Sequence, residues 1–148
     1  MILKKPSEVD FLENYYITNY TAALYYKHAI LYTKKSYLKK LFKALYRHKK
    51  ALKDDLDKHI LAARDQRYLD KLIKKSKYEV QKMHEKLSSS SNIKSGRICT
   101  EVENHFLNQL QQTLSLITDG NLRDMLLSHK YKAATLRDKL TTVSKYLI

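Results

Sequence analysis

Between Pro6 and Gly96 the chain contains neither proline nor glycine. Across all 148 residues there is one proline, and the two glycines are Gly96 and Gly120. Strand-rich folds turn often, and their turns need residues that adopt special backbone angles or fix them. A chain without such residues over most of its length can continue only as long helices. The expected fold class is therefore all-α. The apolar share of 43% is ordinary for a globular protein, and the length suits a single helical domain over 1–148 that buries a real core.

Apolar periodicity places five helices. The first covers about 8–32, with Ser7 as candidate cap, Asp10 completing a box-like pair, and Phe11, Tyr15, Ala22, Tyr26, Ala29 and Ile30 at helical spacing. The second covers about 36–62 and carries one stripe of Leu38, Leu41, Phe42, Leu45, Leu52, Leu56 and Ile60. The third, about 66–87, repeats the design with Leu69, Leu72, Ile73, Val80, Met83 and Leu87. A serine run from Ser88 to Ser91 opens a loop expected over 88–97, through Gly96. The fourth helix, about 98–117, presents Val102, Phe106, Leu110, Leu114 and Ile117. Asp119-Gly120-Asn121 reads as a tight turn before the fifth, about 121–147, with Leu122, Met125, Leu126, Ala133, Leu136, Leu140, Val143 and Leu147.

Shifted by 84 residues, the second helix lies on the fifth: Leu38 meets Leu122, Phe42 meets Leu126, and Leu56 meets Leu140. Two such stripes also align by chance at some offset, so duplication and coincidence both stand. Either way, a long helix precedes a short turn twice. The expected plan is a four-helix up-down bundle of two helical hairpins, joined by a crossover that holds an extra helix.

Ser36-Tyr37-Leu38-Lys39-Lys40-Leu41-Phe42, followed by a basic helix, resembles the second helix of rubrerythrin-like and other small ferritin-like bacterial proteins. Asn121-Leu122-Arg123-Asp124-Met125-Leu126 resembles their fourth. The resemblance implies ferritin-like topology. It would also imply a di-iron site built from one Glu on each of two helices and a Glu-x-x-His on each of the other two. The second and fifth helices have no Glu, the first offers Glu13, the fourth offers Glu101 and Glu103, and no Glu-x-x-His occurs. The expectation is a degenerate member without metal or other cofactor; a ferritin-like metal protein with an atypical site is an alternative.

The charge is +14, from 29 basic and 15 acidic residues. Lys34–Lys50 holds eight bases and no acid. Lys39, Lys43, Arg47 and Lys50 fall on roughly one face, opposite the apolar stripe, and Lys74, Lys75, Lys77 and Lys82 repeat the effect on the third helix. Like charges four apart repel by about 0.2–0.5 kcal/mol per pair, which an acidic partner would relieve. The candidate anion-binding residues are Lys39, Lys43, Arg47, Lys50, Lys74, Lys75 and Lys82. Twelve tyrosines, eight of them between Tyr15 and Tyr46, add side chains that pack a core, stack on bases or form interfaces.

His129 lies on the apolar stripe of the fifth helix and reads first as a hydrogen-bonded core residue. Arg123-Asp124-x4-His129 also resembles the Arg-x4–6-His motif of HEPN-type ribonucleases, which are small and all-helical. That likeness implies Arg123 and His129 acting on the RNA phosphate and 2′-hydroxyl, although Asp124 stands where that family has Asn. His28, His48, His59, His84 and His105 show no metal-ligand spacing. Asp54, Asp55 and Asp57 read as i,i+4 partners of Lys50, Lys53 and Lys58. One cysteine, Cys99, excludes an internal disulfide and suits a reducing compartment.

The leading reading is a non-enzymatic, basic, tyrosine-rich binding or structural module. Its partner would be a nucleic acid, an acidic protein or an anionic assembly, a homo-oligomer being compatible. With no signal-like or membrane-length apolar run, the expected location is cytoplasmic or otherwise intracellular.

Overall fold

The computed structural model describes the backbone over residues 6–87 and 92–145, and side chains over 12–83 and 99–143. Five helices account for nearly all of it: α1 Pro6–Tyr32, α2 Ser36–Ala63, α3 Gln66–Leu87, α4 Asn92–Leu116 and α5 Gly120–Lys145. There is no strand among the described residues. No helix there is long and apolar enough to cross a membrane.

The boundaries differ from expectation mainly at α4, which starts at Asn92 rather than near 98. Gly96 is therefore helical, not part of a loop; its cost relative to Ala is about 1 kcal/mol, which a long helix absorbs. Of the expected loop, 88–91 lies outside the described residues, as do the backbone of Leu147 and the side chains of Phe11 and Leu87. α1 begins at Pro6, so Ser7 lies inside the helix rather than before it. Proline suits such a first position because it has no amide hydrogen to leave unpaired.

Short connections fold the helices back on one another. Asp65 Oδ1 accepts the Tyr68 amide at 2.9 Å and caps α3, and Asp119 Oδ1 accepts the Leu122 amide at 2.8 Å and caps α5. Arg123 reaches back to the last carbonyls of α4, donating to Leu114 O and, at 3.0 Å, to Ile117 O. That closes the α4–α5 hairpin and satisfies acceptors that a helix end leaves orphaned.

α1 packs on α2, α3 and α4, α5 packs on α2 and α4, and α3 touches α2 only marginally. Cross-helix pairs give the directions. Tyr16–Asp57 and Asn19–Lys49 make α1 and α2 antiparallel. Tyr68–Glu13 and Thr21–Ser76 make α3 parallel to α1. Tyr15–Phe106 with Tyr25–Cys99 sets α4 antiparallel to α1.

Every apolar residue expected on the α2 stripe is buried. The core nevertheless divides. One cluster gathers Leu12, Tyr15, Tyr16, Leu52, Leu56 and Phe106 with the first half of α5. The other gathers Ala22, Tyr25, Tyr26, Leu38, Phe42, Leu45, Cys99 and Leu140. Of the eight tyrosines in α1 and the first half of α2, Tyr15, Tyr16, Tyr25 and Tyr26 are buried. α2 and α5 begin at Ser36 and Gly120, so the 84-residue echo coincides with helix starts.

Burial raises the phenol pKa of Tyr15, Tyr16, Tyr25 and Tyr26 above the ordinary 10.0, with Glu103 adding to the rise at Tyr15 and Tyr26 and Asp57 at Tyr16. The unfolded chain thus releases these protons at a lower pH than the folded one. Their contribution is fully present below about pH 10 and is lost as pH rises further. Chemical denaturation followed against pH is expected to show midpoints falling steeply above about pH 10. Ultraviolet titration should show these phenolates forming only as the fold opens; ionisation of all tyrosines near the ordinary value, with the fold intact, would contradict the packing.

Candidate functional site

A polar layer separates the two apolar clusters. Lys49 on α2 and Glu103 on α4 face each other there at 2.8 Å, both fully buried. Lys49 Nζ also lies 3.3 Å from the centroid of the Phe106 ring, a cation–π contact. Tyr26 OH donates to Glu103 Oε2 at 2.7 Å, and Asn19 Nδ2 donates to the Lys49 carbonyl at 2.9 Å. Lys49 and Glu103 are close but not aligned as a hydrogen bond, and Tyr15 OH and Asn19 Oδ1 are buried without a partner. Burial lowers the Lys49 pKa, and Glu103 opposes that shift.

This layer occupies the interior where a ferritin-like bundle would gather its carboxylates. The residues present do not fit a di-iron centre: one carboxylate is already neutralised by an ammonium. Among the described residues no group of three or more His, Cys, Asp or Glu could hold a metal ion.

One residue before Lys49, His48 turns toward α5. His129 Nδ1 stands 3.3 Å from His48 Nε2, and His129 Nε2 stands 3.0 Å from Asp55 Oδ2. Since a carboxylate only accepts, His129 donates from Nε2 to Asp55, and the His48–His129 contact is bridged by a single proton whose donor is set by the tautomer. His48 Nδ1 is buried and unpartnered. Burial first, then Lys49, His129 and Lys132, push the His48 pKa down to about 3.

Above this chain of rings runs a groove between α2 and α5. Two adjoining cavities make it, about 720 and about 540 Å³, sharing Thr135 and Leu136. Ala44, Ala51 and Thr135 are short enough to leave the space open. Lys40 and Lys139 stand at one cavity, and Arg47 and Lys132 at the other; all four are exposed. Tyr37 is 44% and Tyr131 73% exposed, one at each cavity. The acid at the rim, Asp138, is engaged by Arg137 at 3.1 Å.

The expected anion-binding residues do not gather in one place. Arg47 lines the groove. Lys39, Lys43 and Lys50 line neither cavity, and Lys50 pairs with Asp54 at 2.9 Å. Lys74, Lys75 and Lys82 lie on α3, away from the groove; Lys82 is 3.9 Å from Glu79 and sits 4.5 Å over the Tyr78 ring. Arg123 serves the end of α4, while His129 meets His48 and Asp55, so Arg123 and His129 have separate partners. Lys53 pairs with Asp57 at 2.7 Å, as its spacing implies, but Asp55 turns to His129 instead of a lysine.

Sequence reading missed Lys40, Lys132 and Lys139 as rim residues, and Lys49 and His48 as interior ones. For Lys49 a signal existed: it sits four after Leu45 and three before Leu52, on the apolar stripe. Comparison of the chain with protein-family models, curated proteins and solved structures finds no match.

Two outcomes test this geometry. Lys49→Met leaves Glu103 charged in the core and is expected to cost about 3–5 kcal/mol in urea unfolding, whereas Lys49→Met with Glu103→Gln should recover much of that loss. Equal losses in the single and double variants would show that the charge pair is not what couples these sites. His48, with a folded pKa of about 3 against an ordinary 6.5, takes up its proton more readily in the unfolded chain. Its contribution is present above about pH 6.5 and is lost as pH falls toward about 3. His48→Gln keeps a side chain able to donate or accept toward His129 and should flatten the stability–pH curve in that window; an unchanged curve would place the titration elsewhere.

Proposed function

We propose that the chain is a binding module, not an enzyme, and that its groove between α2 and α5 takes a phosphate-bearing polyanion of the nucleic-acid class. The contacts α1–α2, α2–α5, α5–α4 and α4–α1 support a four-helix bundle of ferritin-like plan, with α3 as the crossover helix. In that plan the interior is closed by Lys49 and Glu103, so function moves to the surface. The observation that carries the reading is the pair of cationic rims, Lys40 and Arg47 facing Lys139 and Lys132 across a floor of short side chains.

Four cations line the two cavities against one acid, Asp138, whose contact is with Arg137, so the rim keeps a positive surplus. Elsewhere the basic surface is partly matched, as Lys50–Asp54 shows. A polyanion in the groove would also relieve repulsion among the rim cations. The remaining surplus of the +14 chain would attract it from a distance and raise the rate of encounter.

Binding is expected to weaken as salt rises, because each phosphate contact releases condensed counterions. Changing Lys40, Arg47, Lys132 and Lys139 together to Gln should reduce the slope of log affinity against log salt by about 0.7 per lost contact on single strands, or about 0.9 on duplex DNA. The triple change of Lys39, Lys43 and Lys50 to Gln, made on the outer face of α2, should reduce it less. If the outer triple change has the larger effect, the binding face is the back of α2. Absence of binding to any nucleic acid at low salt would sink this reading in favour of an acidic protein partner.

A further inference from the structure

The register of α2 against α5 arranges the groove as two similar stations. The His48–His129 contact fixes these antiparallel helices side by side. Lys139 then stands within about a turn of Lys40, and Lys132 within about a turn of Arg47. Each station also has a tyrosine: Tyr37 beside the first, Tyr131 beside the second. Lys40 and Arg47 are seven residues apart on one helix, a rise of about 10 Å. Cation pairs and aromatic rings therefore recur together along one line.

We infer that this groove binds single-stranded nucleic acid, with Tyr37 and Tyr131 as stacking platforms for two bases and the pairs Lys40–Lys139 and Arg47–Lys132 holding the backbone between them. The inference rests on the polyanion reading above and narrows it to one strand form. Three physical points favour a single strand. Neighbouring helices lie only about 8–10 Å apart, so the trough between them admits an extended strand while a duplex rides on its rims. A duplex keeps its bases stacked on one another, and an exposed tyrosine ring gains nothing from them. Finally, the two rings are anchored differently from the four core tyrosines of α1: Tyr15, Tyr16, Tyr25 and Tyr26 are consumed by the core, while Tyr37 and Tyr131, like Tyr32 outside the groove, leave much of their surface in water. A large ring held at a cationic rim with no protein partner for its outer face suits a planar ligand group.

Stacking of this kind tolerates every base, because each has a π-face, so the groove should read strand form rather than sequence. A ring and a cation pair at each end also imply a short footprint of a few nucleotides.

The experiment measures fluorescence anisotropy of the full chain with three labelled probes: a short oligothymidylate, a duplex of equal length, and heparin as a polyanion without bases. The single strand should bind at least about tenfold more tightly than the duplex. Tyr37→Ala and Tyr131→Ala should each lose about tenfold or more for the single strand and leave heparin binding unchanged. Tyr37→Phe and Tyr131→Phe, which keep the ring, should retain single-strand affinity. Both tyrosines are surface residues, and circular dichroism of the variants confirms that the fold persists. Equal affinity for single strand and duplex, with silent tyrosine variants, overturns the single-strand inference and leaves polyanion binding standing. Failure of all three probes at low salt overturns the polyanion reading and, with it, this one.

Discussion

The Lys49–Glu103 pair governs how the helices meet. Two full charges lie in the interior at zero exposure, one on α2 and one on α4, with α1 supplying Tyr26 and Asn19. Removing charges from water costs several kcal/mol each, and mutual attraction offsets this only when the partners are placed well. The pair therefore does not make the core more stable than an apolar filling would. What it does is penalise wrong registers: sliding α2 or α4 by one turn would strand an ammonium or a carboxylate among leucines. In the apolar clusters above and below, the directional contacts across helices are Tyr16 with Asp57 and Tyr25 with Cys99, while Leu against Leu packs acceptably at several offsets. The polar layer thus adds a register constraint shared by three helices.

That layer also explains the character of the groove. His48 directly precedes Lys49 in sequence, and its ring turns toward α5, where it meets His129. Burial, aided by the positive charge of Lys49, holds His48 neutral, so the ring supports its neighbours through a hydrogen bond rather than a charge. Asp55 completes the line from the other end. The helix pair that forms the groove is consequently fixed by directional contacts, while Ala44, Ala51 and Thr135 leave room above them. Rigid walls with an open trough suit recognition, because little side-chain entropy is lost when a ligand settles.

Much of the fold was legible because it follows from period and punctuation. The α2 stripe named seven residues and all seven are buried. The absence of Gly and Pro correctly excluded a turn-rich fold. Gly96 misled in the other direction, since one glycine in a long helix costs less than the hydrogen bonds on either side supply. The site was harder to read. Lys49 was hidden inside a run of lysines whose other members face water, and its partner Glu103 lies far along the chain. Lys132 and Lys139 belong to no run at all; they matter because α5 sits beside α2. Asp55 spaced well for a lysine partner yet pairs with His129, because the choice was made by packing across helices and not by spacing along one. Local rules place charges on faces, but they do not say which faces come to adjoin.

α3 stands apart from this arrangement. It rests on α1 and meets α2 marginally, and its polar anchors among the described residues include Tyr68 to Glu13 and Thr21 to a carbonyl of α3. Its opening would break the fewest tertiary contacts of any helix, so its amides should exchange with solvent through a subglobal fluctuation below the free energy of full unfolding. In that open state Glu13 and Thr21 on α1 would lose their partners on α3, while Lys49 on α2 and Glu103 on α4 would keep each other. A loosely held outer helix over a charge-paired interior would give the fold a graded order of opening.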